Sequence, residues 1–403
     1  MPARLTRRRL LLLGAALPVL HACGRGAATP ATLRVFLPLD PYERSIVERQ
    51  VLPPFEQRRG VRVQLEGGTG AEAIERLLQE QRAGQPTVDL LAIDVERLGE
   101  LVAAGAVQEL EAARPRLPGD LIPSLLPALE SAGRLVALPL RPAVWVTFYN
   151  APLLAGQGLA PPATWDALLA AAEALRGPSG EGLVALQGSE GGPAAQSLVE
   201  LVWAFGGDPL RLDDAGSRAA ASYLQRLVPH LAPASATAKF DTMTAALAGE
   251  HVALGPNWAV VAADLLQRGG KRDIAAYPGP TGPAGRGRLV SGQVLVIPRG
   301  VTQREHAMAL AEHLWSAEIQ RLLAGELAWT PLRADAFDAA PEWQRPVATA
   351  VLEALQTARA LPPLRDRNEF DAILGEAFRA IAFERVEPQT ALAQAAVRLR
   401  TLQ

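Results

Sequence analysis

The sequence is short of cysteine, lysine and aromatic residues, and each shortage closes off a class of protein. Cys23 is the only cysteine among 403 residues, so the chain has no disulfide and no cysteine-rich zinc site. Lysine occurs only at Lys239 and Lys271; the other basic residues are arginines, and they form no stripe suited to a nucleic acid backbone. Beyond residue 22 there is no run of roughly 18 uncharged apolar residues, the length a membrane-crossing helix needs. Neither G-x-S-x-G nor H-E-x-x-H occurs, and histidine is limited to His21, His230, His251, His306 and His313. No catalytic residue, metal ligand or cofactor is assigned on these grounds. An exported hydrolase remains the main rival class, because 42 acidic residues leave room for a carboxylate pair that no motif reveals.

What is present begins with a targeting segment. Arg4, Arg7, Arg8 and Arg9 precede an apolar run from Leu10 to Leu20 that is too short to span a bilayer. Leu20-His21-Ala22-Cys23-Gly24 then resembles a lipobox, at which residues 1–22 would be removed and Cys23 acylated; His21 departs from the usual small residue. Thr6 to Leu11 is also similar to a twin-arginine export signal, and Sec export fits the same residues. Residues 23–31 then read as lipid anchor and tether. Cleavage removes four arginines and no acid, taking the net charge from −2 to −6, which disfavours a polyanionic partner such as nucleic acid.

The mature part is long enough for two lobes, and 49% hydrophobic with 20% charged residues describes a globular protein. Residues 33–37 read as a strand, 43–58 as a helix, 61–65 as a strand, 71–81 as a helix, 88–93 as a strand and 95–104 as a helix. Strand alternating with helix predicts an α/β fold with a parallel sheet covered on both faces, whose ligands gather outside the strands' carboxyl ends. Gly68-x-Gly70-x-x-Ala73 formally satisfies a dinucleotide fingerprint, but it follows the second strand, and a glycine turn before a helix explains it better. Gly68 and Thr69 could still offer backbone N–H groups to a ligand oxygen.

Several later segments resemble the family 1 extracellular solute-binding proteins, the group that contains maltose-binding protein. Ser131 to Pro139 is similar to its "DGKxYALP" segment. Tyr149-Asn150, Gly158-Leu159 and Pro161 to Asp166 are similar to its "YN…GL…PPxTW" block. Trp203 to Asp208, Phe240 to Trp258, Tyr277 to Pro298, Leu314 to Gln320 and Trp329-Thr330-Pro331 follow in the family's order. The resemblance implies a two-lobe periplasmic-binding-protein type II fold, with lobe 1 at 32–140 plus 290–315 and lobe 2 at 146–288 plus 317–403. Strands near Leu140–Val144 and Leu289–Ser291 would be the hinge crossings. It further implies an exported, lipid-anchored, monomeric binder that delivers a small solute, sugar above all, to an ABC permease. A glycerol-phosphate, polyol or other solute, and a ligand-sensing role, are the alternatives. A ferric-ion site is disfavoured, since Tyr42, Tyr149, Tyr223 and Tyr277 are isolated from one another.

A sugar needs an apolar ring to stack on and planar side chains that pair with hydroxyls. Trp258 falls at the family's cleft tryptophan, while Trp145 and Trp203 divide evenly between cleft and core. Trp165, Trp315 and Trp343 are assigned to packing. Asp40 and Tyr42 after the first strand, Asp94 after the third, Arg141 beside the hinge, Ser291 and Gln293 on the return strand and Arg333 after Pro331 complete the candidate set. For Asp40 and Asp94 the competing role is a helix cap. An aromatic content of 5% favours a compact ligand over a long oligosaccharide.

Overall fold

The computed structural model describes residues 31–84 and 86–402; the targeting segment, Cys23 and tether residues 24–30 lie outside the described residues. Strand β1 (Ala31–Phe36) buries Leu33, Val35 and Phe36. It is followed by α1 (Pro41–Ile46) and α2 (Leu52–Arg59), which join through a π-helical turn at Val47–Val51. The single helix predicted over 43–58 is thus one run with a widened turn. Pro53 and Pro54 lack the N–H groups that would bond Arg49 and Gln50, which accounts for a departure from α geometry just before them. Next come β2 (Val61–Glu66), α3 (Gly70–Ala83), β3 (Leu90–Asp94), a 3-10 turn at Val95–Arg97 and α4 (Leu98–Ala103).

A two-residue hairpin, β4 (Glu130–Ser131) and β5 (Arg134–Leu135), leads into β6 (Leu138–Asn150), whose 13 residues make it the longest strand described. Helices α5 (Ala151–Gly156), α6 (Trp165–Ala174), α7 (Gly192–Ala204), α8 (Ala215–Leu227) and α9 (Phe240–Ala248) precede β7 (Leu254–Trp258) and β8 (Ile274–Tyr277). Strand β9 (Val290–Val296) returns to the start of the sheet. The chain closes with α10 (Arg304–Trp315), α11 (Ala317–Leu327), α12 (Arg345–Thr357), α13 (Arg367–Ala382) and α14 (Pro388–Leu399).

The main sheet has the order β2-β1-β3-β9-β6-β7, with β8 also paired to β6. Only β1–β2 and β1–β3 are parallel, as the strand–helix alternation predicts; every pairing of β9 and β6 is antiparallel. The sheet is therefore mixed, because β9 enters it from the far half of the molecule. Strand β6 pairs with β9 over Leu138–Val144 and with β7 and β8 over Trp145–Asn150, so one strand about 43 Å long at 3.3 Å per residue runs through both halves.

Two hydrophobic clusters hold these halves. One surrounds β1–β3, β9 and α10 and continues past β6 to Met243 and Leu265. The other joins α6, α7, α8, α13 and α14 around Trp165, Leu198, Phe370 and Phe378. Helix α7 is buried along Ala194–Ala204, as expected of a helix apolar on every side. Its exceptions include Glu200, only 4% exposed, which is answered by an equally buried arginine, Arg288.

Candidate functional site

Strand β1 lies between β2 and β3, so the chain leaves it to one side and then crosses to the other. A crevice opens outside the carboxyl ends of strands at such a reversal. Asp40 to Tyr42 follow β1 there, and Asp94 ends β3. Strands β9 and β6 pass at the same level: Asp94 is opposite Gln293, and Gln293 is opposite Arg141. Beyond that row the two strands continue alone, Pro142–Val144 against Val290–Gly292, before β6 meets Trp258 of β7 at Trp145. This two-strand bridge is the floor of the crevice. Gly292 has φ +117, and a Cβ there would lie 2.2 Å from the Arg141 carbonyl oxygen, so only glycine lets the strands approach this closely.

Arg141 is held from two sides. Its Nη1 donates to Glu43 Oε1 at 2.8 Å, and its guanidinium carbon lies 4.4 Å from the centroid of Trp329. Trp329 Nε1 donates to the same Glu43 oxygen at 2.7 Å, while Glu43 Oε2 accepts the Asp40 N–H at 3.1 Å. Asp40 in turn caps α1, accepting from the N–H groups of Tyr42 and Glu43 at 2.8 Å each. Neither Glu43 nor Trp329 is among the residues proposed from sequence. The only local signal was the Asp40-x-x-Glu43 spacing of a capping box, which does not point to an arginine on a distant strand.

Two positions before Gln293 on β9, Ser291 Oγ donates to Glu96 Oε1 at 2.5 Å. Burial pushes the Glu96 carboxyl above the usual range, and the charge of Arg367, at the start of α13, pulls it partly back. Arg367 Nε donates to Asp371 at 2.8 Å. A carboxyl raised in the folded state stabilises the fold fully below its unfolded pKa, and that contribution is lost as pH rises through the folded value. As pH rises above the usual carboxylate range, the Tm of Glu96→Gln is therefore expected to gain on that of the parent, because the other raised carboxyls (Asp89, Glu200, Asp371) and the lowered ones (Glu111, Asp214, Asp335) are common to both. Parallel pH–Tm curves would show that Glu96 does not titrate in this range.

The β7 side supplies apolar surface. Trp258 is half-buried and meets Trp145 edge-on, with centroids 5.9 Å apart. Asn257 Nδ2 donates to the Phe240 carbonyl, placing the start of α9 beside it. Among the described residues the exposed large apolar side chains are Tyr42, Phe240, Val260 and Val397; Tyr42 lies in the first turn of α1 after β1, Phe240 opens α9, and Val260 follows Trp258. Phe240 and Val260 carried no individual signal in the sequence.

Residues 50–351 match the family described as bacterial extracellular solute-binding protein. The chain belongs to that family. Its fold is shared by the sugar-binding protein MalE of Xanthomonas citri (TM-score 0.78, 17% identity, 92% of this chain and 97% of that one). Maltose-bound MalE3 of T. maritima is similar at TM-score 0.71 and 21% identity, covering 93% of this chain and 100% of that one. An ABC transporter solute-binding protein of Agrobacterium radiobacter K84, in complex with ribitol, is similar at TM-score 0.68 and 20% identity, covering 93% and 99%. No protein of curated function matches the sequence.

Within this two-lobe binding-protein fold, Asp40 and Tyr42 follow the carboxyl end of β1, Asp94 ends β3, Arg141, Ser291 and Gln293 lie on the paired β6 and β9, and Trp258 ends β7 opposite Trp145. Asp94 makes no side-chain cap, contrary to the competing role considered for it, and its carboxylate is exposed. Thr69 caps α3 reciprocally with Glu72, so its hydroxyl is already engaged, and Gly68 before it has φ +116. Three candidates fall elsewhere. Trp145 is 1% exposed and Trp203 4%, the latter with Arg359 stacked 4.8 Å from its ring; both are core residues. Arg333 is ion-paired with Asp120 and Asp335, because the turn after Pro331 directs it to the segment around Leu121. The packing assignments stand: Trp165 is buried at the start of α6, behind its Thr164 cap. Trp315 is buried and donates to the Pro139 carbonyl, and Trp343 packs against the first cluster.

Proposed function

We propose that this chain captures a sugar or polyol between its lobes and hands it to an ABC permease, without chemically altering it. The observation that carries the reading is the crevice at the sheet's reversal point. It is floored by two strands that connect the halves, bordered by Trp258, Phe240 and Tyr42, and lined by planar polar side chains. Flat apolar faces beside such groups suit a polyhydroxylated solute. The ligands of the similar proteins, maltose and ribitol, fit the same chemistry. Lobe 1 is taken as 32–140 plus 290–315 and lobe 2 as 146–288 plus 317–403, with the floor strands as hinge; a ligand bridging both would favour the closed arrangement. Export follows from the family, and the lipobox-like Cys23 supports an anchor at the outer face of the membrane.

The test is a thermal-shift screen of residues 24–403 against sugars, polyols, sugar phosphates and organic acids. A ligand present at a hundred times its Kd adds about 2.7 kcal/mol, a shift of several degrees. Stabilisation by sugars or polyols is the expected result; stabilisation only by organic acids would overturn the reading. Trp258→Ala is expected to abolish binding while the far-UV spectrum is kept, and unchanged affinity would remove Trp258 from the site. Cys23→Ser in the full chain should release the protein from the membrane fraction, and retention there would refute the anchor.

A further inference from the structure

The charges at the crevice are unevenly compensated. Arg141 is 25% exposed and already neutralised by Glu43, whose carboxylate is itself held by Trp329 and the Asp40 N–H. Arg367 is spent on Asp371, Arg97 on Glu100, and Lys239 lies 3.7 Å from Asp241. Arg365 is exposed next to Asp366, which carries the opposite charge. Asp94, by contrast, has an exposed carboxylate with no hydrogen-bond or ion-pair partner among the described residues. The same is true of the Gln293 side chain and of Arg141 Nε and Nη2.

These three residues form a row across adjacent strands, Asp94 on β3, Gln293 on β9 and Arg141 on β6, in register. Neighbouring strands are about 4.8 Å apart and register partners share a face, so the row spans about 10 Å. Along it the chemistry changes in order: an acceptor only, an amide that donates and accepts, and a donor only. Hydroxyl groups can satisfy all three, since each both donates and accepts. A phosphate or carboxylate could use only the donors of the row, the Gln293 amide N–H groups and the Arg141 end, where Glu43 already occupies one guanidinium nitrogen, and would bring its charge towards Asp94, Asp40 and Glu43.

Resting on the solute-binding reading above, we propose that this row selects an uncharged polyhydroxylated ligand and rejects its anionic counterpart, with Asp94 and the Glu43-neutralised Arg141 as the determinants. The glycerol-phosphate alternative is disfavoured for the same reason. Specificity here comes from a repulsive element as much as from attraction.

The experiment compares maltose with maltose 1-phosphate, and ribitol with ribitol 5-phosphate, by calorimetry at low and high salt, on the parent, Asp94→Asn and Glu43→Gln. In the parent the neutral member of a pair is expected to bind at least about tenfold tighter, with the gap narrowing in high salt. Both variants should reduce that preference by about tenfold or more, Glu43→Gln by releasing the charge of Arg141. Circular dichroism and Tm of each variant separate this from misfolding, and Asp94→Glu should restore the preference lost in Asp94→Asn. Equal or tighter binding of the phosphorylated member to the parent would overturn the charge selection while leaving solute binding intact. An unchanged preference in both folded variants would overturn the assignment to these residues. Binding of none of the four compounds would overturn the sugar-and-polyol reading and this inference with it.

Discussion

An Arg288→Ala variant is expected to lose about 3–5 kcal/mol of stability, the largest single effect anticipated for a side chain outside the crevice. Arg288 and Glu200 are 4% exposed each, and they meet at 2.5 Å. The guanidinium also donates to Thr147 Oγ1 at 2.6 Å and to the Pro278 carbonyl at 2.8 Å, while Glu200 accepts the Leu289 N–H at 3.1 Å. Truncation would leave a carboxylate, a hydroxyl and a carbonyl in the dry interior beside α7 without their partner. The cost comes from the groups left behind more than from the pair itself, because desolvating two ions consumes most of their attraction. The double variant Arg288→Met/Glu200→Leu should therefore recover much of the loss. Thermal denaturation of ligand-free protein checks both; a loss in Arg288→Ala below about 1 kcal/mol would mean that water reaches the pair in solution. The network also ties β6, α7 and the lead-in to β9 together, so it supports the strands that floor the crevice.

A second large effect is expected at Gly99. This glycine sits in the first turn of α4, and a Cβ there would lie 1.9 Å from the Leu364 carbonyl oxygen and 2.4 Å from its carbon. Those are backbone atoms of the segment leading into α13, so no side chain can turn aside. Gly99→Val should hold α4 and that segment apart by more than an ångström. Because α4 follows β3 and α13 belongs to the other cluster, the strain falls on a contact between the two clusters, the kind of contact that the proposed closure would use. Affinity for whichever solute the thermal-shift screen identifies should drop at least about tenfold while the ligand-free Tm changes little, since a closed state made rarer lowers apparent affinity in proportion. A large fall in ligand-free Tm with affinity retained would show instead that the contact belongs to a rigid part of the fold.

Much of the architecture was legible before any coordinates. The succession β1, α1–α2, β2, α3, β3 follows from alternation at period two and spacing at period 3.6, which are local properties of the chain. Asp40, Asp94, Arg141 and Gln293 were singled out because they stand after strands or beside segments that resemble the family's crossing and return strand. The sorting of the tryptophans was not legible in this way. Trp145 and Trp258 are directly opposed in the sheet, yet one is enclosed and the other half-buried, and Trp203 is closed off by an arginine 156 positions later.

The cluster that pins Arg141 joins it to Glu43 across 98 positions, and Trp329 reaches the same carboxylate across 286. Ser291 meets Glu96 across 195. Secondary structure is written in residue types a few positions apart, because backbone preference and side-chain period act over a turn or a strand. Which charges are cancelled and which carboxylate is left free depend on contacts that exist only after β9 has been threaded between β3 and β6. No local pattern records them, since each partner would form the same helix or strand without the other.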